Sequence, residues 1–416
     1  MGNDDDVLVI GGGVIGLATA LALVEAGRGV RVLESRTIGS GSSHGNCGTL
    51  TPSHAAPLAA PGMVAKALRW MLTPDAPFYV APRIDPALWQ WLLRFSSRCN
   101  GRDWRSAMQA RAALLLASRA LFPDWVARHR LDCDFTESGM DYLFRTPAAL
   151  EHFRHELPLL AELGIASESI DGDDYVRREP ALKPGLAGVV RFPGDARLRP
   201  DRYVAALAQA LRAAGGTIEE QRDVIALDPD GTGATVHTAQ GRWRAREVVI
   251  ATGAWSPALA KAAGLRALPV QPGKGYSITY DPPPLVPSRP VVLPERSVCV
   301  TSWDGGFRLG STMEFSGYDT RLNRRRLDAI ERGAAEYLVH PVGPAKREEW
   351  YGWRPLACDD LPIIGRVPGR DHLWLATGHG MLGVSMSTGT AELLADMICA
   401  RTPRIDMAPF SPARFA

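Results

Sequence analysis

Two rhythms of apolar residues run along this chain. DVLVI (6–10) is a short continuous apolar run closed by glycines, the pattern of a buried strand. LATALALVEAG (17–27) is apolar and alanine-rich and stops at Gly27, which predicts a helix. VRVLE (30–34) predicts a second strand that ends in an acid. A strand followed by a glycine turn returns in REVVIATGAWS (246–256). It returns again in HLWLATGHGMLGVSMSTGTAELLADMI (372–398), where a helix is expected from about Ser387. Helices are also predicted over 105–129, where core packing is the simplest role, over 147–163, and from Pro200–Asp201 onward. MDYLFRT (140–146) reads as a short strand. Residues 265–345 alternate apolar and polar positions between glycine turns, which predicts antiparallel strands, with a surface turn at Pro282–Pro284 and Pro287.

The first turn carries chemistry. Gly11, Gly13 and Gly16 fit G-x-G-x-x-G with a strand before them and a helix after. The first glycine permits a tight turn, the second lets backbone approach a pyrophosphate, and the third lets the helix pack closely on the strand. The helix N-terminus offers N–H groups and partial positive charge to phosphates. Glu34 lies where an acid accepts hydrogen bonds from a ribose diol. Strand, helix and acid together predict an adenine-dinucleotide site.

Composition narrows the class. The 416 residues suffice for two or three domains or two interleaved ones, and 46% hydrophobic with 22% charged residues is ordinary globular usage. A formal net charge of +2 gives no broad basic field for nucleic acid, which counts against an RNA-modifying enzyme. The six cysteines (Cys47, Cys99, Cys133, Cys299, Cys358, Cys399) show neither C-x-x-C pairs nor zinc spacing. Free thiols in a reducing compartment and no metal site are therefore expected. The acidic start MGNDDD lacks the basic region of a secretory signal, and no apolar run is long enough to span a bilayer. The expected location is cytoplasmic.

NAD and FAD remain. A nicotinamide enzyme can complete its site with a second βαβ half, whereas a buried flavin needs backbone loops from distant parts of the chain. ATGAW (251–255), with Gly253 allowing close approach, and the loop before Ser387 are two such loops. Together with the N-terminal motif they favour FAD.

With these motifs in view, the chain resembles the FAD-dependent amine and amino-acid oxidoreductases of the D-amino-acid oxidase/glycine oxidase superfamily. Within it, the chain is most similar to bacterial D-amino-acid dehydrogenases. The likeness runs from VLVIGGGVIGLATALALVEAGRGVRVLE through GNCGTLTPSHAAPLAAPGM, ATGAWSP and KGYS to GWRPLACDDLPIIG and TGHGMLGVSMSTGTAELLADMI. GHGMLGVSMS and GNCGTLTPSH also resemble dehydrogenases of D-proline or cis-4-hydroxy-D-proline. The implied fold is α/β, of glutathione reductase type and D-amino-acid oxidase-like. A Rossmann-like FAD domain (1–56, 196–264 and 346–416) carries an inserted antiparallel-sheet substrate domain (57–195 and 265–345, with a helical segment 60–130).

The resemblance also implies residue roles. The loop GSGSSHGNCG (39–48) becomes a flavin cradle, with Ser42 and Ser43 toward phosphates and ribityl hydroxyls. Asn46, Cys47 and Gly48 then lie beside the ring, and His44 near the isoalloxazine. Val224 contributes a backbone contact to adenine, and the Gly380, Met381, Leu382 and Gly383 backbone lies against the ring. Further cofactor contacts are expected from Val14, Ile15, Ser35, Arg36, Ala251, Thr252, Gly253 and Trp255. Cys358 does not align with the superfamily's attachment cysteine, so FAD is expected to be non-covalent.

Such enzymes move a hydride from the substrate Cα to flavin N5 while the amine lone pair assists, so positioning dominates. Arg354 in YGWRPL matches the arginine that grips the substrate carboxylate, for which a planar fork is suited. His54, Tyr276 and His379 are further catalytic candidates beside His44. The implied partners are a D-amino or D-imino acid and a quinone or other electron carrier; an oxygen-using glycine or sarcosine type oxidase is the alternative. Between 66 and 98, Trp70, Phe78, Tyr79, Trp89, Trp91 and Phe95 interleave with Lys66, Arg69, Arg83, Arg94 and Arg98. That pattern suits either peripheral contact with the inner membrane or helices packing aromatics on a core.

Overall fold

The computed structural model describes residues 5–71, 78–265 and 267–415. The first four residues of the acidic start, and 72–77 of the aromatic stretch, lie outside the described residues.

The strand Asp5–Ile10, the helix Val14–Glu25 and the strand Val30–Leu33 form a right-at-the-start βαβ unit. The two strands run parallel, Val7 opposite Val30 and Val9 opposite Val32. On its other edge Asp5–Ile10 pairs in parallel with the second half of Gly241–Ile250, and that strand pairs in parallel with Leu373–Thr377. Val7–Val9, Val248–Ile250 and Leu373–Leu375 are all buried, the signature of parallel strands covered on both faces. Thr217–Glu219 extends one edge; the hairpin Val224–Asp230 and Gly233–Thr238 and the strand Ile363–Arg366 complete an eight-stranded sheet. Three distant stretches of chain thus build one nucleotide domain.

A second sheet has nine strands and is mostly antiparallel. At its centre Val270–Tyr280 lies between Gly306–Phe315 and Lys346–Ala357. The sheet continues through Val298–Trp303, Val291–Leu293, Met140–Phe144 and Gly188–Phe192 to Glu168–Ile170. Phe78–Val80 pairs with the end of Gly306–Phe315.

The elements differ from expectation at several places. Lys346–Ala357, assigned to the nucleotide domain by the 346 boundary, pairs along its whole length with Val270–Tyr280, so it belongs to the second sheet. The helix Gly101–Arg128 packs in one core with Val14–Glu25 and Ser387–Ile398 and also with Met140–Phe144 and Gly188–Phe192. Ser118 Oγ lies 2.8 Å from Thr388 Oγ1 of the helix Ser387–Ile398. Within 265–345, residues Arg324–Tyr337 form a helix, not strands. Its buried face (Leu327, Ile330, Ala334, Tyr337) follows the three-to-four spacing, and the surrounding charges hide it from an alternation search. The 147–163 region divides into Pro147–Arg154 and Leu157–Glu162.

Candidate active site

The glycine turn begins a long cavity. Gly11 has φ +113°, and a Cβ there would lie 2.5 Å from the Ala251 carbonyl oxygen. A Cβ on Gly16 would lie 1.9 Å from the Gly11 oxygen, so the helix can start only this close to the strand without side chains. Glu34 Oε2 accepts from Gly12 N at 2.7 Å, and its Oε1 accepts from Arg36 N at 2.9 Å. Ser43 Oγ accepts from Val14 N at 3.0 Å, which ties the 39–48 loop to the helix N-terminus.

The cavity has a volume of about 1360 Å³. It runs from Glu34–Arg36 and Arg222–Val224, past Gly11, Gly13–Ile15, Ser42, Ser43 and Gly45–Gly48, to Ala251–Trp255 and His379–Val384. All the expected cofactor contacts line it except Gly16, which packs behind the turn. An elongated adenine dinucleotide fits this shape. Two wall residues carry unpartnered buried polar atoms: Trp353 Nε1 and Thr312 Oγ1 find no hydrogen-bond partner in the protein. Trp255 forms the far wall, stacked with Tyr318 at 6.1 Å and carrying the Arg36 guanidinium 5.4 Å from its ring centre.

At the other end the nine-stranded sheet contributes Arg354. Its strand places the guanidinium over Gly275 of the neighbouring strand, where a Cβ would lie 2.3 Å from Cζ. Arg354 Nη1 donates to the Thr312 carbonyl at 2.5 Å. Thr312 sits at a bulge between Val270–Tyr280 and Gly306–Phe315 with φ +68°, and the bulge swings its carbonyl onto the arginine. No carboxylate pairs with Arg354 among the described residues. Burial disfavours its charged form and draws its pKa down, with Cys47 opposing. Arg354 is thus a half-buried cation on the cavity wall with no carboxylate beside it among the described residues.

The histidines divide. His379 lines the cavity, lies 3.1 Å from Thr390 Oγ1 through Nε2, and is held neutral by burial, which lowers its pKa to about 3. His54 also lines it, and burial with the nearby Arg111 lowers its pKa to about 4. Tyr276 lines it too, its hydroxyl 3.3 Å from Glu314 Oε2. His44 does not. Its ring nitrogen pairs with Glu348 at 2.8 Å, a contact that raises its pKa, and it is not among the lining residues. That side chain lies off the cavity wall. The loop turns it outward because Arg308 Nη1 holds the carbonyls of His44 and Asn46, and Ser277 Oγ holds that of Gly45 at 2.7 Å.

Sequence reasoning missed several wall residues. Thr312 needed a bulge that alternation does not reveal. Cys299 lines the cavity together with Cys47; the neighbouring Cys299 thiol lowers the pKa of Cys47 against burial, with Arg308 and Arg354 acting in the same direction. Asp360 pairs with the buried Arg111, whose Nη2 also donates to the His54 carbonyl at 2.9 Å.

A parallel sheet assembled from three stretches of chain behind a glycine turn, a large antiparallel sheet, and a long cavity lined from both suit a flavin-type oxidoreductase. The chain belongs to the FAD dependent oxidoreductase family, whose model matches residues 6–397. It is 33% identical over 420 residues to a D-amino acid dehydrogenase of Granulibacter bethesdensis, covering 99% of both chains. It is 34% identical to the D-amino acid dehydrogenase of Methylobacterium nodulans, covering 98% of this chain and 99% of that one. Among solved structures, glycine oxidase from Geobacillus kaustophilus superposes with a TM-score of 0.80 at 26% identity, covering 99% of this chain and 98% of the other. L-proline dehydrogenase from P. horikoshii shares the fold, with a TM-score of 0.75 at 19% identity over 100% of this chain and 98% of that one.

Proposed function

We propose that this protein oxidises a D-amino or D-imino acid at Cα, with D-proline or cis-4-hydroxy-D-proline favoured, and passes the electrons to a quinone or another carrier. Arg354 carries the reading: a half-buried guanidinium on the cavity wall, with no carboxylate beside it among the described residues, suits the carboxylate of an amino acid. FAD, bound non-covalently, supplies the two-electron acceptor. Arg354 holds the carboxylate, and Thr312 O fixes the arginine's fork. Val80, Trp91, Met313, Phe315 and Leu356 supply an apolar wall that excludes water and suits a ring-bearing or aliphatic substrate. The Ser42–Gly48 loop and the Gly380–Gly383 backbone hold the flavin. Cys358 supports non-covalent binding, because it is packed among Val80, Trp91 and Phe315 and is absent from the cavity wall.

The likeness to the dehydrogenases named above supports a D-amino acid and an acceptor other than oxygen; the glycine oxidase likeness supports an oxygen-using amine oxidase as the second reading. For the acceptor, the helices Met63–Met71 and Pro86–Arg98 are informative. The first buries no residue, and the second buries only Leu88 and Trp91. Leu68, Trp89 and Leu93 are exposed by 61%, 57% and 71%, on helices that also carry Lys66, Arg69, Arg94 and Arg98. This supports peripheral contact with an anionic inner membrane, where a quinone is available. No helix among the described residues is long and apolar enough to cross a bilayer.

A dye-reduction screen of D- and L-amino acids, including both proline derivatives, beside an oxygen-electrode trace tests the reading. Dye reduction by a D-amino or D-imino acid with little oxygen uptake is expected. Fast oxygen uptake would instead select the oxidase.

A further inference from the structure

The cavity wall contains one polar thread that leads away from it. His54 Nδ1 lies 2.9 Å from Tyr142 Oη, with the other ring nitrogen, Nε2, at 3.3 Å. Tyr142 Oη is 3.1 Å from Ser53 Oγ, and Ser53 Oγ donates to Asp195 Oδ2 at 2.5 Å. The Ser53 N–H donates to the other carboxylate oxygen at 3.2 Å. An ionised carboxylate only accepts, so Ser53 is the donor at the last contact. Ser53 then accepts from Tyr142, and Tyr142 accepts from His54 Nδ1–H. Every donor points the same way, from the cavity to Asp195.

The thread ends at an acid without a counter-ion. Tyr142, Ser53 and Asp195 are buried, Asp195 to 1% exposure. Among the described residues no ion pair reaches Asp195. Burial raises its pKa to about 7, against the two hydrogen bonds from Ser53 and the charge of Arg119. The other groups that act on the thread are Arg111 at His54, and Cys299 and Glu156 at Tyr142. Glu156 is itself pushed up by burial, with His152 and Lys66 opposing.

Amino-acid oxidation needs the amine lone pair, yet an amino acid arrives as its ammonium form. A proton must leave before the hydride does. We propose that His54, Tyr142, Ser53 and Asp195 form a proton relay that takes the ammonium proton of the bound amino acid and stores it on Asp195. The proposal rests on the amine-oxidising function above. The substrate N–H bond breaks as His54 Nε2–H forms, and the Nδ1 proton passes to Tyr142 Oη. The Tyr142 proton passes to Ser53 Oγ, and the Ser53 proton to Asp195 Oδ2. The net change is one proton from substrate to carboxylate, with no electron moved and His54 neutral before and after. A carboxyl near neutrality both accepts and returns a proton at small cost. Tyr142, Ser53 and Asp195 are positioning residues that act through His54.

The test compares the FAD-loaded wild type with Tyr142→Phe and Asp195→Asn, two replacements that keep shape. Anaerobic flavin bleaching by D-alanine and by D-proline is followed across pH. In the wild type, reduction should slow as pH falls through about 7. At neutral pH both variants should be about 10- to 100-fold slower, with the gap closing at alkaline pH, where the amine arrives neutral. Wild-type rates in the variants, or one uniform loss at every pH, would overturn the relay. An infrared titration provides a readout without substrate. A neutral-carboxyl band should appear in the wild type as pH falls through about 7 and be missing in Asp195→Asn. Its absence in the wild type overturns the relay. Failure of both amino acids to bleach the wild type counts against the function alone, and the infrared result then decides the relay.

Discussion

Gly275→Ala tests the placement of Arg354 without touching the arginine. Gly275 lies under the guanidinium, and an added Cβ would stand 2.3 Å from Cζ and 2.4 Å from both terminal nitrogens. Ordinary contact between such atoms is about 3.5 Å, so the guanidinium must retreat by roughly 1 Å. The atoms in the way are the tip of a flexible side chain rather than backbone, so the strand should still form and pair. A displacement of that size in a positioning group costs about 100-fold in rate, and losing one charged hydrogen bond costs about 1.5–3 kcal/mol. We therefore expect kcat/KM for the preferred D-amino acid to fall by roughly 10- to 100-fold. FAD content and thermal stability should stay near wild type, because neither the glycine turn nor the loop at 39–48 is disturbed. The assay is steady-state dye reduction beside flavin absorbance and a melting curve. A folded, FAD-loaded Gly275→Ala enzyme with wild-type kcat/KM would refute the assignment of Arg354 as the carboxylate anchor.

Arg354→Ala should keep FAD and lose about 10- to 1000-fold in kcat/KM, and Arg354→Lys should restore only part, since a point charge cannot reproduce the fork; unchanged turnover would place the carboxylate elsewhere. Acid or heat should release free FAD into solution, and flavin remaining with the precipitate would contradict non-covalent binding. His379 is kept neutral with a pKa lowered from 6.5 to about 3, so its stabilising effect is complete above 6.5 and fades as pH falls from there toward 3. Melting temperatures should drop through that window, by up to about 1.4 kcal/mol of stability per pH unit, and less steeply in His379→Asn; equal slopes would count against a neutral buried His379. Flotation with anionic vesicles should carry the protein up at low salt and less at physiological salt, and no flotation at either would leave the 63–98 helices without a membrane role.

The nucleotide half was legible because its signals are local. Gly11, Gly13 and Gly16 are close in sequence, and the turn they form depends on backbone alone. Arg354 was legible through its motif, although the carbonyl that orients it comes from Thr312, whose bulge leaves no periodic trace. His44 shows the limit of a motif: its loop neighbours line the cavity, but the direction of its own side chain is set by Arg308 and Glu348, far away in sequence. Ser53, Tyr142 and Asp195 meet only through the packing of three separate segments, so no spacing could join them. The helix Arg324–Tyr337 was hidden because charges are dense along it while only four of its six buried residues (Leu327, Ile330, Ala334 and Tyr337) carry an apolar side chain.

The central claim is that Arg354 and the flavin cavity together select an α-amino or imino acid of D configuration. Anaerobic bleaching of the bound flavin by matched D and L enantiomers, and by the corresponding amine lacking the carboxylate, tests it most directly. The account predicts rapid bleaching by a D-enantiomer, with D-proline or cis-4-hydroxy-D-proline among the fastest, and slow or no bleaching by the L-enantiomer and the decarboxylated amine. Equal bleaching by the decarboxylated amine, or preference for the L-enantiomer, would contradict it.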